Sequence, residues 1–209
     1  MLEALQIEIT RGNRKLFGNL SLELKPGTLL LVTGSNGSGK TSLLRALCGL
    51  LSPSSGEIRW HGENIRVLRE DYWKNLLYIG HNNALKGDLT TSENLAALCA
   101  LSGVAANAVQ RQSALAQFGL ADREHSPAKS LSQGQRRRTA LARLALGSVL
   151  PLWVLDEPFS ALDSAAIAHL QSIISQHLAN SGMVVMTTHQ DVPIKAPAVV
   201  ELNLDQRVN

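Results

Sequence analysis

Over the first thirty residues apolar and polar side chains alternate in steps of two, in LQIEI and LSLEL, until the alternation gives way to the unbroken apolar run LLLVT. Period two marks a strand with one face in the core and one in water, and a continuous apolar run marks a strand covered on both faces. The intervening GN and KPG read as turns, so the pattern predicts an antiparallel edge feeding a buried strand. That strand runs directly into GSNGSGKT, after which SLLRALCGLL carries apolar residues at helical spacing. The segment SPSSGEIRW predicts a turn and another strand, and NLLYIGH a further strand that ends at His81. From about Thr91 to Gly147 the spacing turns mostly helical, and TTSEN at its start has the Ser/Thr-to-Glu spacing of a capping box. Then come PLWVLDEP, a short apolar run ending in acids, SAAIAHLQSIISQHLAN, an amphipathic helix, and GMVVMTTH, a buried strand ending in a polar cluster. Strands alternating with helices predict an α/β fold with a mainly parallel sheet. We expect one domain over residues 1–209, with an amino-terminal antiparallel β portion and a helical insert at about residues 85–147. There is no internal repeat and no low-complexity linker.

Composition narrows this picture only a little. With 209 residues, 44% hydrophobic and 18% charged, the chain can bury a full core, which argues against disorder. Twenty Lys and Arg against seventeen Asp and Glu give a formal charge of +3, compatible with phosphate ligands or acidic membrane and decisive for neither. Cys48 and Cys99 both fall in apolar, helix-like stretches, which suits two reduced, buried thiols; a disulfide between them is the alternative. The start MLEALQIEIT carries Glu3 and Glu8 and no basic region before an apolar block, unlike a secretion signal. The two greasiest stretches are interrupted, by Ser102 with Gly103 and by Arg143 with Pro151, so neither reaches the length of a membrane span.

The candidate chemistry begins at GSNGSGKT, Gly34 to Thr41, which satisfies GxxxxGK[ST] between a buried strand and a helix. Gly34, Ser35, Asn36, Gly37, Ser38 and Gly39 let backbone N–H groups curl around phosphate oxygens, Lys40 supplies a point charge for the outer phosphates, and Thr41 offers a hydroxyl to Mg²⁺. A nucleoside triphosphate is the expected ligand. In LWVLDEP, Asp156 ends an apolar run, where an acid needs a cation or ordered water. Asp156 is therefore assigned with Thr41 to metal, and Glu157, which points elsewhere, to the general base that activates the attacking water. Taken alone, the two acids have the helix-capping role as their alternative, since acids suit helix starts.

Residues 131–138, LSQGQRRR, open the apolar run TALARLALG. A glycine-containing loop at a helix start exposes unpaired N–H groups and the positive end of the dipole, an anion site. LSQGQ resembles the signature motif of ATP-binding cassette (ABC) ATPases, and the phosphate loop, LWVLDEP, SALD and TTH follow in that family's order over nearly all the chain. The resemblance implies the P-loop NTPase fold of ABC ATPases, ATP and Mg²⁺ as cofactors, and a head-to-tail homodimer in which the signature of one subunit closes on nucleotide held by the other. By matching positions, Ser132, Gly134 and Gln135 would contact the partner's nucleotide, Asp163 would lie in the loop linking the two sites, and His189 would be the switch histidine, catalytic with Glu157 and Lys40. Arg136, Arg137 and Arg138 read as solvated or ion-paired helix residues.

Two positions depart from the family pattern. LLYIGH places His81 where a glutamine that senses Mg²⁺ and the membrane partner is usual, and the adenine-stacking aromatic aligns with Arg11, whose guanidinium plane can stack on a base. His81, the compact stand-alone chain and NNALKGDLTTSENL together resemble the CcmA-type ATP-binding subunits of cytochrome c maturation. That branch implies an integral membrane partner of CcmB type at the cytoplasmic face of the bacterial inner membrane, with residues roughly 82–100 at the docking surface, and ATP hydrolysis driving heme export or release of a heme-loaded chaperone. The six histidines, His61, His81, His125, His169, His177 and His189, are scattered without a CxxCH box, so no direct heme ligation is expected. The alternatives are the ATPase of another exporter, for lipid, lipoprotein or metal, or a non-transport ABC ATPase. Nucleic acid is not an expected partner: the long coiled coils of DNA-repair members and the double cassette of ribosome-acting ones are both missing from the sequence.

Overall fold

In the computed structural model, which describes residues 1–190 and 192–207, the period-two segments form a hairpin of β1 (Leu2–Arg11) and β2 (Arg14–Leu24). The apolar run forms β3 (Thr28–Thr33), and the glycine loop leads into α1 (Lys40–Leu47). Next come β4 (Ser55–Trp60), β5 (Glu63–Asn64), the single turns α2 (Ile65–Leu68) and α3 (Glu70–Trp73), and β6 (Leu76–Ile79). Four helices follow: α4 (Thr91–Leu101), α5 (Ala108–Gln117), α6 (Gln133–Leu141) and α7 (Arg143–Leu146). The chain then returns through β7 (Leu152–Asp156), α8 (Ser164–Ala179), β8 (Met183–Thr187) and β9 (Ala198–Asn203), and ends the described part in a 3₁₀ turn at Leu204–Arg207.

The strands fall into two sheets. One is antiparallel in the order β2-β1-β4-β5, and the other is parallel in the order β6-β7-β8-β3-β9. The strand expected to reach His81 stops at Ile79, which leaves His81 in the loop beyond the sheet edge. β9 has no counterpart in the expectations from sequence: at the edge of the sheet only Leu202 of its six residues is buried, so no apolar run announces it. The capping box at the start of α4 is present, with Thr90 Oγ1 accepting from Glu93 N and Glu93 Oε2 accepting from Thr90 N at 2.8 Å.

The unbroken apolar runs are explained by burial on both faces of the parallel sheet. Leu30, Val32, Leu152, Val154 and Val185 join one apolar cluster with α1 and the antiparallel sheet. Their neighbours Leu29, Trp153, Leu155, Val184 and Met186 join a second with α8 and the helices between β6 and β7. Asp156 continues the parity of Leu152 and Val154, so its carboxylate falls on the side of α1, where Thr41 starts the helix. Cys48 and Cys99 are both buried and free, and burial pushes both thiols up. Among the described residues no helix is long and apolar enough to cross a membrane.

The second cluster also encloses a histidine. The ring of His177 stacks on Trp153 with centroids 3.7 Å apart, and among the described residues its Nε2 has no hydrogen-bond partner. A Cβ at Gly182 would lie 2.2 Å from that nitrogen, so only glycine fits there. Burial lowers the His177 pKa to about 4. The unfolded chain therefore takes up this proton at the ordinary value near 6.5 while the folded chain refuses it, so the contribution is whole above about pH 6.5 and is lost as pH falls towards 4. The loss amounts to roughly 3 kcal/mol at the acid end. Thermal melts between pH 7 and pH 4 should show Tm falling across this window, and His177→Phe, which keeps the stacking ring without the proton site, should flatten that fall.

Candidate active site at the phosphate loop

The loop between β3 and α1 is shaped by glycines that other residues cannot replace. Gly37 and Gly39 have φ of 83° and 105°, and a Cβ on Gly39 would lie 3.0 Å from the Phe17 ring. Inside the loop Lys40 Nζ donates to the carbonyls of Gly34 at 2.7 Å and Ser35 at 3.1 Å. Ser38 is buried and, among the described residues, its Oγ has no partner, which suits a donor to an anion. From the far end of the chain Asp205 reaches this loop, accepting from Ser35 N at 2.8 Å and from Ser35 Oγ at 2.8 Å.

A chain of hydrogen bonds runs from this loop to the ends of β7 and β8. Thr41 Oγ1 donates to Asp156 Oδ2 at 2.9 Å, Thr187 Oγ1 donates to Asp156 Oδ1 at 2.7 Å, and Glu157 N donates to Thr187 Oγ1 at 2.9 Å. Asp156 is 2% exposed, so these hydroxyls are what its carboxylate has in place of water. Glu157 sits at φ 50°, a left-handed backbone that costs a non-glycine residue about 1–3 kcal/mol and is characteristic of functional sites. Its Oε1 lies 3.3 Å from His189 Nε2, with the histidine side chain 55% exposed and the glutamate 20%.

The residues present fit a magnesium nucleotide. A hydroxyl and a carboxylate oxygen side by side are hard oxygen donors, and Mg²⁺ usually takes one or two such groups together with substrate phosphates. Among the described residues no group of three or more His, Cys, Asp or Glu could hold a metal alone. Orphaned Ser38 Oγ and the inward ammonium of Lys40 suit the phosphates themselves.

Lys40, Thr41, Asp156, Glu157 and His189 line a cavity of about 530 Å³ with Arg11, Leu16 and His81. Of the residues singled out from sequence, it gathers Arg11, much of Gly34 to Thr41, His81, Asp156, Glu157 and His189. It does not include Ser132, Gly134, Gln135 or Asp163. Ser132 is exposed and caps α6, accepting from Gln135 N at 3.2 Å while Gln135 Oε1 accepts from Ser132 N at 2.9 Å. A Cβ on Gly134 would lie 2.7 Å from the Ala161 carbonyl oxygen, so this motif is fitted against the loop after β7. Asp163 caps α8, accepting from Ala166 N at 2.8 Å.

Arg137 is buried rather than solvated, contrary to expectation, whereas Arg136 and Arg138 are half-buried; among the described residues none of the three is ion-paired. Arg136 Nε donates to Ala128 O at 2.9 Å, and Arg138 Nη1 to Phe118 O at 3.3 Å. Arg137 is 2% exposed and reaches the backbone of Asp156 and Glu157 at 2.8 Å each. A sequence signal for this existed: Arg137, Leu141 and Leu144 lie at i, i+4 and i+7, one buried stripe. Thr187 and Asp205 also belong to the site's framework, and no periodicity marks them.

A sequence profile of the ABC transporter family matches residues 17–160. The cytochrome c biogenesis ATP-binding export protein CcmA of Nitrosomonas europaea is 52% identical over 204 residues, covering 98% of this chain and 95% of the relative. That of Dechloromonas aromatica is 52% identical over 204 residues, covering 98% of this chain and all of the relative. Among solved structures, a putative ABC transporter ATP-binding protein from Pyrococcus furiosus matches with TM-score 0.83 at 23% identity, covering 100% of this chain and 99% of that one. A dimeric ATP-binding cassette in a post-hydrolysis state, bound to ADP and Pi, matches with TM-score 0.79 at 23% identity over 91% of this chain and 88% of that one; at such identity both show the fold alone. Profile, relatives and fold agree, and the chain belongs to the ABC transporter family, within its CcmA-type cytochrome c biogenesis ATP-binding branch.

Proposed function

We propose that this chain is the ATP-hydrolysing, energy-coupling subunit of an ABC complex in c-type cytochrome biogenesis, working as a head-to-tail homodimer. The observation that carries the reading is a division of labour in one chain. Asn36, Gly37, Gly39, Lys40, Thr41, Asp156, Glu157 and His189 share a cavity, while the signature residues Ser132, Gly134 and Gln135 lie outside it. A second copy is what brings a signature to each cavity.

Lys40 leaves the carbonyls of Gly34 and Ser35 and donates to the outer phosphates, and backbone N–H groups of the loop hold the rest of the triphosphate. Thr41 and Asp156 would hold Mg²⁺, which would supply neutralising charge to the phosphate oxygens. Glu157 takes a proton from the attacking water as the new P–O bond forms and the bond to ADP breaks. His189, beside the same carboxylate, orients it and donates to the γ-phosphate, and Ser132 with Gly134 of the partner copy closes over that phosphate. Arg11 lines the same cavity, and its guanidinium plane would stack on the base.

The membrane side of the proposal rests on a groove of about 280 Å³ lined by Leu50, Trp73, Tyr78, Leu101 and Arg143. Leu101 is 86% exposed and Leu50 50%, large apolar side chains in one place that suit a partner's helix. His81 lines both the nucleotide cavity and the space next to this groove, where it would sense both. The named partner is an integral membrane subunit of CcmB type, docked at the cytoplasmic face of the bacterial inner membrane on this groove and on residues about 82–100. The work done is heme export or release of a heme-loaded chaperone, without heme ligation by this subunit. Tagged chain purified from membranes should bring down an integral membrane subunit, and deletion of the gene should abolish c-type cytochromes. Intact cytochromes after deletion would end the maturation reading and leave the ATPase reading standing.

A further inference from the structure

We infer that Arg137 is a positioning residue that fixes the backbone of Glu157 and ties it both to the signature helix α6 and to the loop after β6. This rests on the proposed role of Glu157 as general base. Arg137 lies in α6, on the turn after the Ser132 cap, and its guanidinium is aimed into the protein rather than at solvent. Nη2 donates to Asp156 O and to Glu157 O, both at 2.8 Å; Nε donates to Pro158 O at 3.4 Å; and Nη1 donates to Gly80 O at 3.0 Å and to Asn83 Oδ1 at 3.2 Å. Five N–H bonds thus meet five acceptors from two separate loops, the full capacity of the group. Among the described residues it makes no ion pair.

Burying an unpaired cation is costly, and a neutral side chain of similar volume would pack there without that cost. What the arginine supplies instead is geometry. Glu157 occupies the left-handed region at φ 50°, which persists only where the surroundings over-determine it. Its N–H is held by Thr187 Oγ1 and its carbonyl by Arg137; with both ends pinned, the carboxylate is presented beside His189. The same guanidinium holds Gly80 and Asn83, flanking His81. A displacement of α6 when a partner closes on Ser132, or of residues 80–83 when a membrane subunit docks, therefore reaches the Glu157 carbonyl through one rigid planar group. Lysine, a single point donor, cannot replace that fork.

Arg137→Lys and Arg137→Gln in the full chain test this, with kcat, KM for ATP, the Kd of a fluorescent ATP analogue and Tm measured together, and Glu157→Gln as reference. Misplacing a catalytic group by about 1 Å costs about 100-fold, so kcat should fall by about that factor while KM and Kd stay within about twofold. A kcat within about threefold of the parent, with Glu157→Gln inactive, would overturn the inference alone. So would a loss of kcat that comes with an equal loss of nucleotide affinity, the mark of a general structural role. If both variants fail to fold, Asn83→Ala removes only the outer acceptor: a kcat lowered about threefold or more at unchanged KM supports the link, and an unchanged kcat overturns it. Full turnover by Glu157→Gln would instead refute the base assignment, whatever Arg137 does.

Discussion

Glu157→Gln should suppress ATP turnover by about 1000-fold while leaving ATP affinity within a few-fold, because general-base catalysis is worth about 10²–10⁴ and the amide cannot accept the proton. The substitution is nearly isosteric. Glu157 N still donates to Thr187, its carbonyl still receives Arg137, and Asp156 still faces Thr41. Binding and hydrolysis should therefore separate in steady-state kinetics and nucleotide titration. With hydrolysis blocked, the ATP-bound state accumulates, so the same variant should gain thermal stability in saturating ATP.

Lys40→Ala should act on the other step. The ammonium is buried within the loop and rests on the carbonyls of Gly34 and Ser35, which phosphate oxygens can replace. Charge-assisted hydrogen bonds are worth about 1.5–3 kcal/mol, so ATP affinity should fall by about 10- to 100-fold and turnover with it. Titration calorimetry with ATP that returned the parent's affinity would show that Lys40 does not hold the triphosphate.

The elements around the site were legible wherever burial imposes a pattern. β3, β7 and β8 are covered on both faces, so their apolar runs stood out, and the polar residues that end them, Asp156 and Thr187, fell where the sheet's edge meets the glycine loop. The capping box before α4 was legible because it is a local exchange of hydrogen bonds between Thr90 and Glu93. Arg137 was misread because three arginines in succession look alike; which one turns inward is fixed by the helical phase set by Leu141 and Leu144, and then by carbonyls some twenty and fifty-odd residues away. Asp205 and β9 were missed for a related reason: one long-range acceptor and one buried leucine leave no period in the sequence. The strand before His81 was drawn too long: it ends at Ile79, and Gly80, a turn residue, marks the stop that the sequence reading passed over.

Closure of two copies over nucleotide is most directly tested by sedimentation equilibrium of Glu157→Gln with and without ATP, alongside the double variant that adds Ser132→Arg. The account predicts that ATP doubles the sedimenting mass of the single variant and that the arginine returns it to monomer although its own cavity still binds ATP. A monomer at every ATP and protein concentration tried, or a dimer indifferent to the change at Ser132, would contradict it.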